Sequence, residues 1–127
     1  MKPVFVMLCG LPGSGKSSVA KRIALPCVTT DAWWDVGKAA VLQRLHSFLD
    51  AHLSVVYDAC LPRYAERQAL ANAAWACGFG VVLLWMATPA SICLQHREEE
   101  LVQSYAARFE EPASECDYLI VVERAAA

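Results

Sequence analysis

Gly10-Leu11-Pro12-Gly13-Ser14-Gly15-Lys16-Ser17 is the stretch that decides how the rest of the chain is read. It satisfies every fixed position of the pattern G-x-x-x-x-G-K-[ST]. An apolar run, Pro3 to Cys9, precedes it and reads as a buried strand; Lys16 to Ala24 follows and reads as a helix. A chance glycine-rich turn would lack that strand-loop-helix setting. The residue types have a chemical reason. Glycines let the backbone curl with its N–H groups inward, as an anion nest. The helix N-terminus adds partial positive charge. Lys16 is placed to reach β- and γ-phosphates as a point charge, the Ser17 hydroxyl to ligate Mg²⁺, and Ser18 to help hold an α-phosphate. The predicted ATP-binding set is therefore Gly10, Leu11, Pro12, Gly13, Ser14, Gly15, Lys16, Ser17 and Ser18.

Beyond the loop, apolar runs alternate with helix-like stretches. Pro26 to Thr30 reads as a second strand, ending at Asp31. Val36 to Leu49 carries Val41, Leu42, Leu45, Phe48 and Leu49 at helical spacing. Leu53 to Tyr57 reads as a third strand, ending at Asp58, and Arg63 to Cys77 as an alanine-rich helix stopped by Gly78. Val81 to Met86 is the fourth strand. Pro89 opens one long helical segment to about Phe109, and Tyr118 to Val122 is the fifth strand. Continuous apolar strands alternating with helices predict an α/β domain of three layers, α/β/α, around a five-stranded parallel sheet.

The 127 residues fit one domain, 1–127, and 57% hydrophobic with 19% charged residues is a globular composition. The apolar stretch Val81 to Ala87 falls far short of the roughly 18 residues of a membrane span, so no membrane association is expected. A net charge of −2 argues against non-specific nucleic-acid binding. The six cysteines show no C-x-x-C pair and lie mostly in apolar runs, which reads as reduced core residues. Glycines, Pro12 and Lys16 interrupt the N-terminal apolar run, against a signal peptide. A cytoplasmic location is expected.

Ligands of open parallel sheets bind at the carboxyl ends of the strands. Asp58 closes Val55-Val56-Tyr57-Asp58, where a carboxylate could hold Mg²⁺ or cap the next turn. Asp31 could accept a proton from an attacking hydroxyl or cap the helix after it. Of Trp33 and Trp34, one could line a substrate pocket; the alternative is one in the core and one partly exposed. Arg63 and Arg67 share a helix face and could bind substrate phosphate or pair with acids such as Glu66 or Glu99. His46 and His52 read as ordinary helix residues, Trp75 and Trp85 as core.

These residues carry a resemblance. The chain resembles small P-loop kinases close to the kinase domain of bacteriophage polynucleotide kinase, and the related zeta-toxin-like ATPases. The features are the loop Gly10 to Ser17, Thr30-Asp31, Val55-Val56-Tyr57-Asp58-Ala59 with Arg67 nine residues on, Thr88-Pro89 with Cys93-Leu94 and Arg97, Phe109-Glu110-Glu111-Pro112, and Glu115-Cys116-Asp117-Tyr118. The resemblance implies the P-loop NTPase fold with strand order 2-3-1-4-5 and an ATP-dependent phosphotransferase acting on an unidentified hydroxyl acceptor, a small molecule or nucleotide. Asp31 matches its general base, and Arg97 lies near the start of its lid. There are departures. Trp34 stands where polynucleotide kinases place an acceptor-binding arginine, which argues against a nucleic-acid 5′-hydroxyl. The lid reads His96-Arg97-Glu98-Glu99-Glu100, with one arginine where the family usually has two, and the chain after the fifth strand is short for enclosing adenine. A reduced lid implies slow transfer. A nucleotide-binding module with little transfer is the alternative from a different class.

Overall fold

In the computed structural model, residues 2–30 and 37–123 are described. Five strands, β1 (Val4–Gly10), β2 (Cys27–Thr29), β3 (Val55–Asp58), β4 (Gly80–Met86) and β5 (Tyr118–Val122), form one all-parallel sheet in the order β2-β3-β1-β4-β5. The helices are α1 (Lys16–Ala20), α2 (Lys38–Asp50), α3 (Tyr64–Ala76), α4 (Ala90–Cys93) and α5 (Glu99–Arg108).

The central strand shows why the sheet is buried on both sides. Along β1, Phe5, Met7 and Cys9 enter a large core beneath α2 and α3, whose buried positions include Val41, Leu45, Leu49, Ala71 and Ala74. The intervening Val6 and Leu8 enter a smaller core with Ala20 and partly buried Val19. Side chains two apart share a face, so a run that is apolar at every position fits only a doubly covered strand.

Local chemistry ends the helices. Gly78, at φ +83°, stops α3; its N–H donates to the Trp75 carbonyl and the Phe79 N–H to that of Ala74. The same double bond closes α2, with His52 in the left-handed position at φ +55°. His52 is thus the stop of α2 and not one more helical residue.

Two expectations are corrected. The first helix is shorter, ending at Ala20. The single helix from Pro89 to about Phe109 is two helices, α4 and α5. At the break the Cys93 carbonyl accepts the N–H groups of both His96 and Arg97, and Glu98 is extended. Glu99 and Glu100 then occupy the first turn of α5, where negative charge complements the helix dipole. The cysteines are all free, but only Cys9 and Cys93 are buried; Cys27 is exposed on short β2.

Among the described residues, Arg67 is the largest fully buried side chain. Its Nε donates to Glu115 Oε2 at 2.9 Å, and its terminal nitrogens donate to the carbonyls of Leu61 at 2.7 Å and Glu110 at 2.6 Å. Phe109 lies 5.7 Å from the guanidinium carbon. The arginine thereby ties the turn after β3 to the chain between α5 and β5. Removing one partner of a buried pair strands the other charge, at a cost of about 3–5 kcal/mol, whereas replacing both by apolar residues costs much less. Arg67→Ala and Glu115→Ala are each expected to lower urea-unfolding stability by that amount, with Arg67→Met/Glu115→Leu recovering most of it. A loss under 1 kcal/mol for Arg67→Ala would contradict this role.

Candidate active site

Strand register assembles the site. Leu8 of β1 is level with Asp58 of β3, and Gly10 with Met86 of β4, so the loop leaving β1 emerges between the ends of both neighbours. Gly10 needs to be glycine. A Cβ there would lie 2.8 Å from the Met86 carbonyl oxygen and 2.9 Å from Ser14 Oγ. Gly15, at φ +97°, sits at the left-handed turn into α1.

Lys16 folds back over the loop and its Nζ donates to the carbonyls of Gly10 at 3.2 Å and Leu11 at 3.0 Å. The Ser17 hydroxyl donates to Asp58 Oδ2 at 3.0 Å, joining the loop to β3. Thr88, just beyond β4, is buried and donates from Oγ1 to the Ser14 carbonyl at 2.8 Å, holding the loop from the other side.

Pro12, Gly13, Gly15, Lys16, Ser17 and Ser18 line a cavity of about 300 Å³, faced by Asp58, Cys60, Thr29 and Thr30, with His96 and Arg97 across it. Three members of the expected binding set stand behind this lining. Gly10 and Ser14 are buried, and Leu11 contributes the carbonyl that Lys16 grips. The arrangement suits a polyphosphate: a cation and loop amides on one side, and a hydroxyl and carboxylate side by side on the other. Oxygen donors of that kind fit Mg²⁺, and Ser17 and Asp58 are the residues that would hold it. Among the described residues no cluster of three or more His, Cys, Asp or Glu side chains is placed to bind a metal without a substrate's help.

The break between α4 and α5 brings Arg97 here. A Cβ at Gly13 would meet the Cys93 carbonyl oxygen at 2.7 Å and Arg97 Cγ at 3.0 Å, so the segment lies directly against the loop. Arg97 is half exposed and stands 3.9 Å from Glu98, a weak surface contact. Glu98, Glu99 and Glu100 are exposed, and none lines the cavity.

Arg67 is corrected as a substrate residue, since its guanidinium is fully buried and spent on Glu115 and two carbonyls, not on Glu66, Glu99 or a ligand. Arg63 is exposed at the start of α3 and lines neither this cavity nor its neighbour. Asp31, Trp33 and Trp34 lie outside the described residues. Sequence reasoning gave no role to Thr88, Cys60 or His96. Thr88 was legible only as the residue after a strand. Burial pushes the Cys60 thiol up despite the opposing charge of Lys16, and pushes Cys9 up to about 12, so neither is a thiolate at neutral pH.

No protein-family model and no curated protein matches the chain. Solved structures do. The APS kinase of Mycobacterium tuberculosis, solved in complex with AMPPNP and APS, is similar at 20% identity over 98% of this chain and 91% of its own, with a TM-score of 0.69. A gluconokinase from Sinorhizobium meliloti 1021 is similar at 23% identity over 99% of this chain and 84% of its own, also with a TM-score of 0.69. A protein from Chloroflexus aurantiacus, proposed to be a kinase, has a TM-score of 0.73 at 14% identity, covering 97% and 89%.

Gly13→Ala tests the packing of the loop against the segment between α4 and α5. It combines a left-handed φ of +82° with a Cβ clash on backbone. The expected result is a folded protein whose affinity for AMPPNP, by calorimetry, falls at least about ten-fold, given the roughly 1–2 kcal/mol such a backbone strain costs alone. Unchanged affinity would show that the close approach is dispensable. Strand order, loop geometry and these neighbours together establish that the chain has the three-layer α/β/α fold of P-loop kinases.

Proposed function

We propose that the chain is an ATP-dependent phosphotransferase that moves the γ-phosphoryl group of ATP to a hydroxyl of a small molecule or nucleotide. The observation that carries the reading is the convergence of Lys16, the Ser17–Asp58 pair and Arg97 on one loop-lined cavity. The APS kinase bound to AMPPNP and the gluconokinase, with the same fold, support it.

In this mechanism the loop amides and Lys16 bind the phosphates and hold the γ-phosphorus toward the acceptor. The acceptor oxygen attacks in line. A new P–O bond forms, the bond from γ-phosphorus to the β–γ bridging oxygen breaks, and its electron pair leaves with ADP. The acceptor proton passes to a carboxylate, for which Asp31 is the candidate through its match to the family's base; its neighbour Thr30 lines the cavity. Ser17 and Asp58 would hold a Mg²⁺ ion, which would supply charge neutralisation to the phosphates. Arg97 offsets charge on the transferring group. It is the one arginine lining the cavity among the described residues, which favours slow transfer. That same feature supports the second reading, a nucleotide-binding module with little transfer.

The resemblance to polynucleotide kinase and zeta-toxin-like proteins rests on sequence motifs alone. Trp34 and the net charge of −2 weigh against a nucleic-acid acceptor. The expectation of a cytoplasmic protein rests on the sequence alone. Separately, no helix among the described residues is long and apolar enough to cross a membrane.

Labelled γ-phosphate transfer, measured over a panel of nucleosides, nucleotides, sugars and 5′-hydroxyl oligonucleotides, tests the reading. Transfer to at least one small acceptor is expected. Asp31→Asn is expected to reduce it about 10²–10⁴-fold, the usual worth of a general base, with ATP affinity retained. Transfer to none, with ATP bound tightly, would replace the kinase reading by the binding-module one.

A further inference from the structure

A second cavity, about 750 Å³, opens off the phosphate site and shares Pro12, Thr30, Ala59, Cys60 and Arg97 with it. A γ-phosphate and one hydroxyl would not need this space. Its size is that of a small-molecule site, typically about 300–1,000 Å³. Most of the wall is apolar: Leu42 of α2, Leu61 and Pro62 after β3, Leu70 of α3, and Leu101 and the Tyr105 ring of α5. Such a wall accommodates a planar or apolar molecular body.

The polar groups are few and directional. Among the described residues lining the cavity, Lys38, Arg97 and Arg108 are cationic and Glu66 is acidic. Arg97 precedes α5 at the phosphate mouth and Arg108 ends that helix, roughly 14 Å away along its axis. Arg108 is organised but not neutralised. Its Nε donates to the Ser104 carbonyl at 3.2 Å and its guanidinium lies 4.6 Å from the centre of the Tyr105 ring, while no carboxylate among the described residues pairs with it. Tyr57 is 1% exposed, lines the cavity and has no hydrogen-bond partner for its hydroxyl among the described residues. Burial and the nearby Glu66 charge push that phenol up to about 12, so it stays a donor at neutral pH.

We propose that this cavity is the acceptor subsite and that it takes an anionic hydroxyl compound with a planar or apolar body, of nucleoside monophosphate size. The anionic group faces Arg108, the body lies along the leucines and Tyr105, Tyr57 donates a hydrogen bond, and the reacting hydroxyl reaches the phosphate mouth at Arg97. A neutral polyol would bring no counter-charge to the three cations and would lay its hydroxyls along a mostly apolar wall. This assignment rests on the phosphotransfer reading but makes a separate claim about charge.

The test is calorimetric titration of the protein saturated with AMPPNP and Mg²⁺, using two matched pairs: adenosine 5′-monophosphate against adenosine, and glucose 6-phosphate against glucose. Each phosphorylated compound is expected to bind at least about ten-fold more tightly than its neutral partner, with the nucleotide tightest, as a charge-assisted contact gives. Arg108→Gln is expected to erase the preference with an unchanged urea midpoint, and Tyr57→Phe to weaken all four compounds. Equal binding within a pair, or a preference that survives Arg108→Gln, would overturn the assignment. Label transfer separates the two claims: a neutral acceptor phosphorylated best overturns this subsite and leaves the kinase reading, whereas tight anionic binding with no transfer does the reverse.

Discussion

Parallel pairing of β1 with β3 on one side and β4 on the other is the constraint from which the site follows. A chain leaving the central strand of such a sheet emerges between two neighbouring strand ends and has no room for a side chain at the point where it leaves the strand. Gly10 meets the Met86 carbonyl at once, which removes any freedom to place a larger residue there. The same adjacency lets Ser17 bond Asp58, 41 positions later, and lets Thr88 bond the Ser14 carbonyl, 74 positions later. The loop is therefore shaped from three strands before any ligand arrives, which suits the phosphate-binding role proposed for it. Preorganisation of this kind spares the cost of reorganising dipoles around a phosphate.

Arg67 does for the neighbouring cavity what the strand register does for the loop. Its bonds to Leu61 and Glu110 fix two segments of irregular backbone, and Leu61 itself takes a left-handed φ of +44° beside the cavity it lines. Burying a guanidinium is costly unless every donor direction is answered, and here a carboxylate and two carbonyls answer it. The placement explains why an arginine in the first turn of an alanine-rich helix contributes to architecture while Arg97 and Arg108, on less buried segments, are exposed.

Much of the fold was legible because its signals are local. The loop pattern, the doubly apolar strands and the stop at Gly78 each depend on a few adjacent residues, and together they predict three layers and five strands; the order 2-3-1-4-5, expected from the family resemblance, matches the sheet. The misses are long-range. Whether Arg67 meets Glu66 on its own helix or Glu115 48 positions on is decided by packing. The break at residues 94–98 lies against Gly13, a contact that no local pattern shows. Cys27 sits in an apolar stretch yet on an exposed, three-residue edge strand, a difference set by sheet order alone. β5 is the opposite edge, as the order 2-3-1-4-5 implies, and Tyr118, Leu119, Ile120 and Val121 are exposed there. At the site, the loop and Asp58 were readable from position at strand ends and Arg97 from the family resemblance, whereas the large cavity and Tyr57's place in its wall were not, because neither has a sequence pattern.

The Gly10–Ser18 loop is proposed as a working nucleoside-triphosphate site with Lys16 as its principal cation. Calorimetric titration of AMPPNP with Mg²⁺ into the wild-type chain and into Lys16→Ala measures this directly. One-to-one binding by the wild type, weakened at least about ten-fold in the variant as the loss of a charged contact dictates, is the predicted result. Wild-type binding that Lys16→Ala leaves unchanged, or no binding at all, would contradict it.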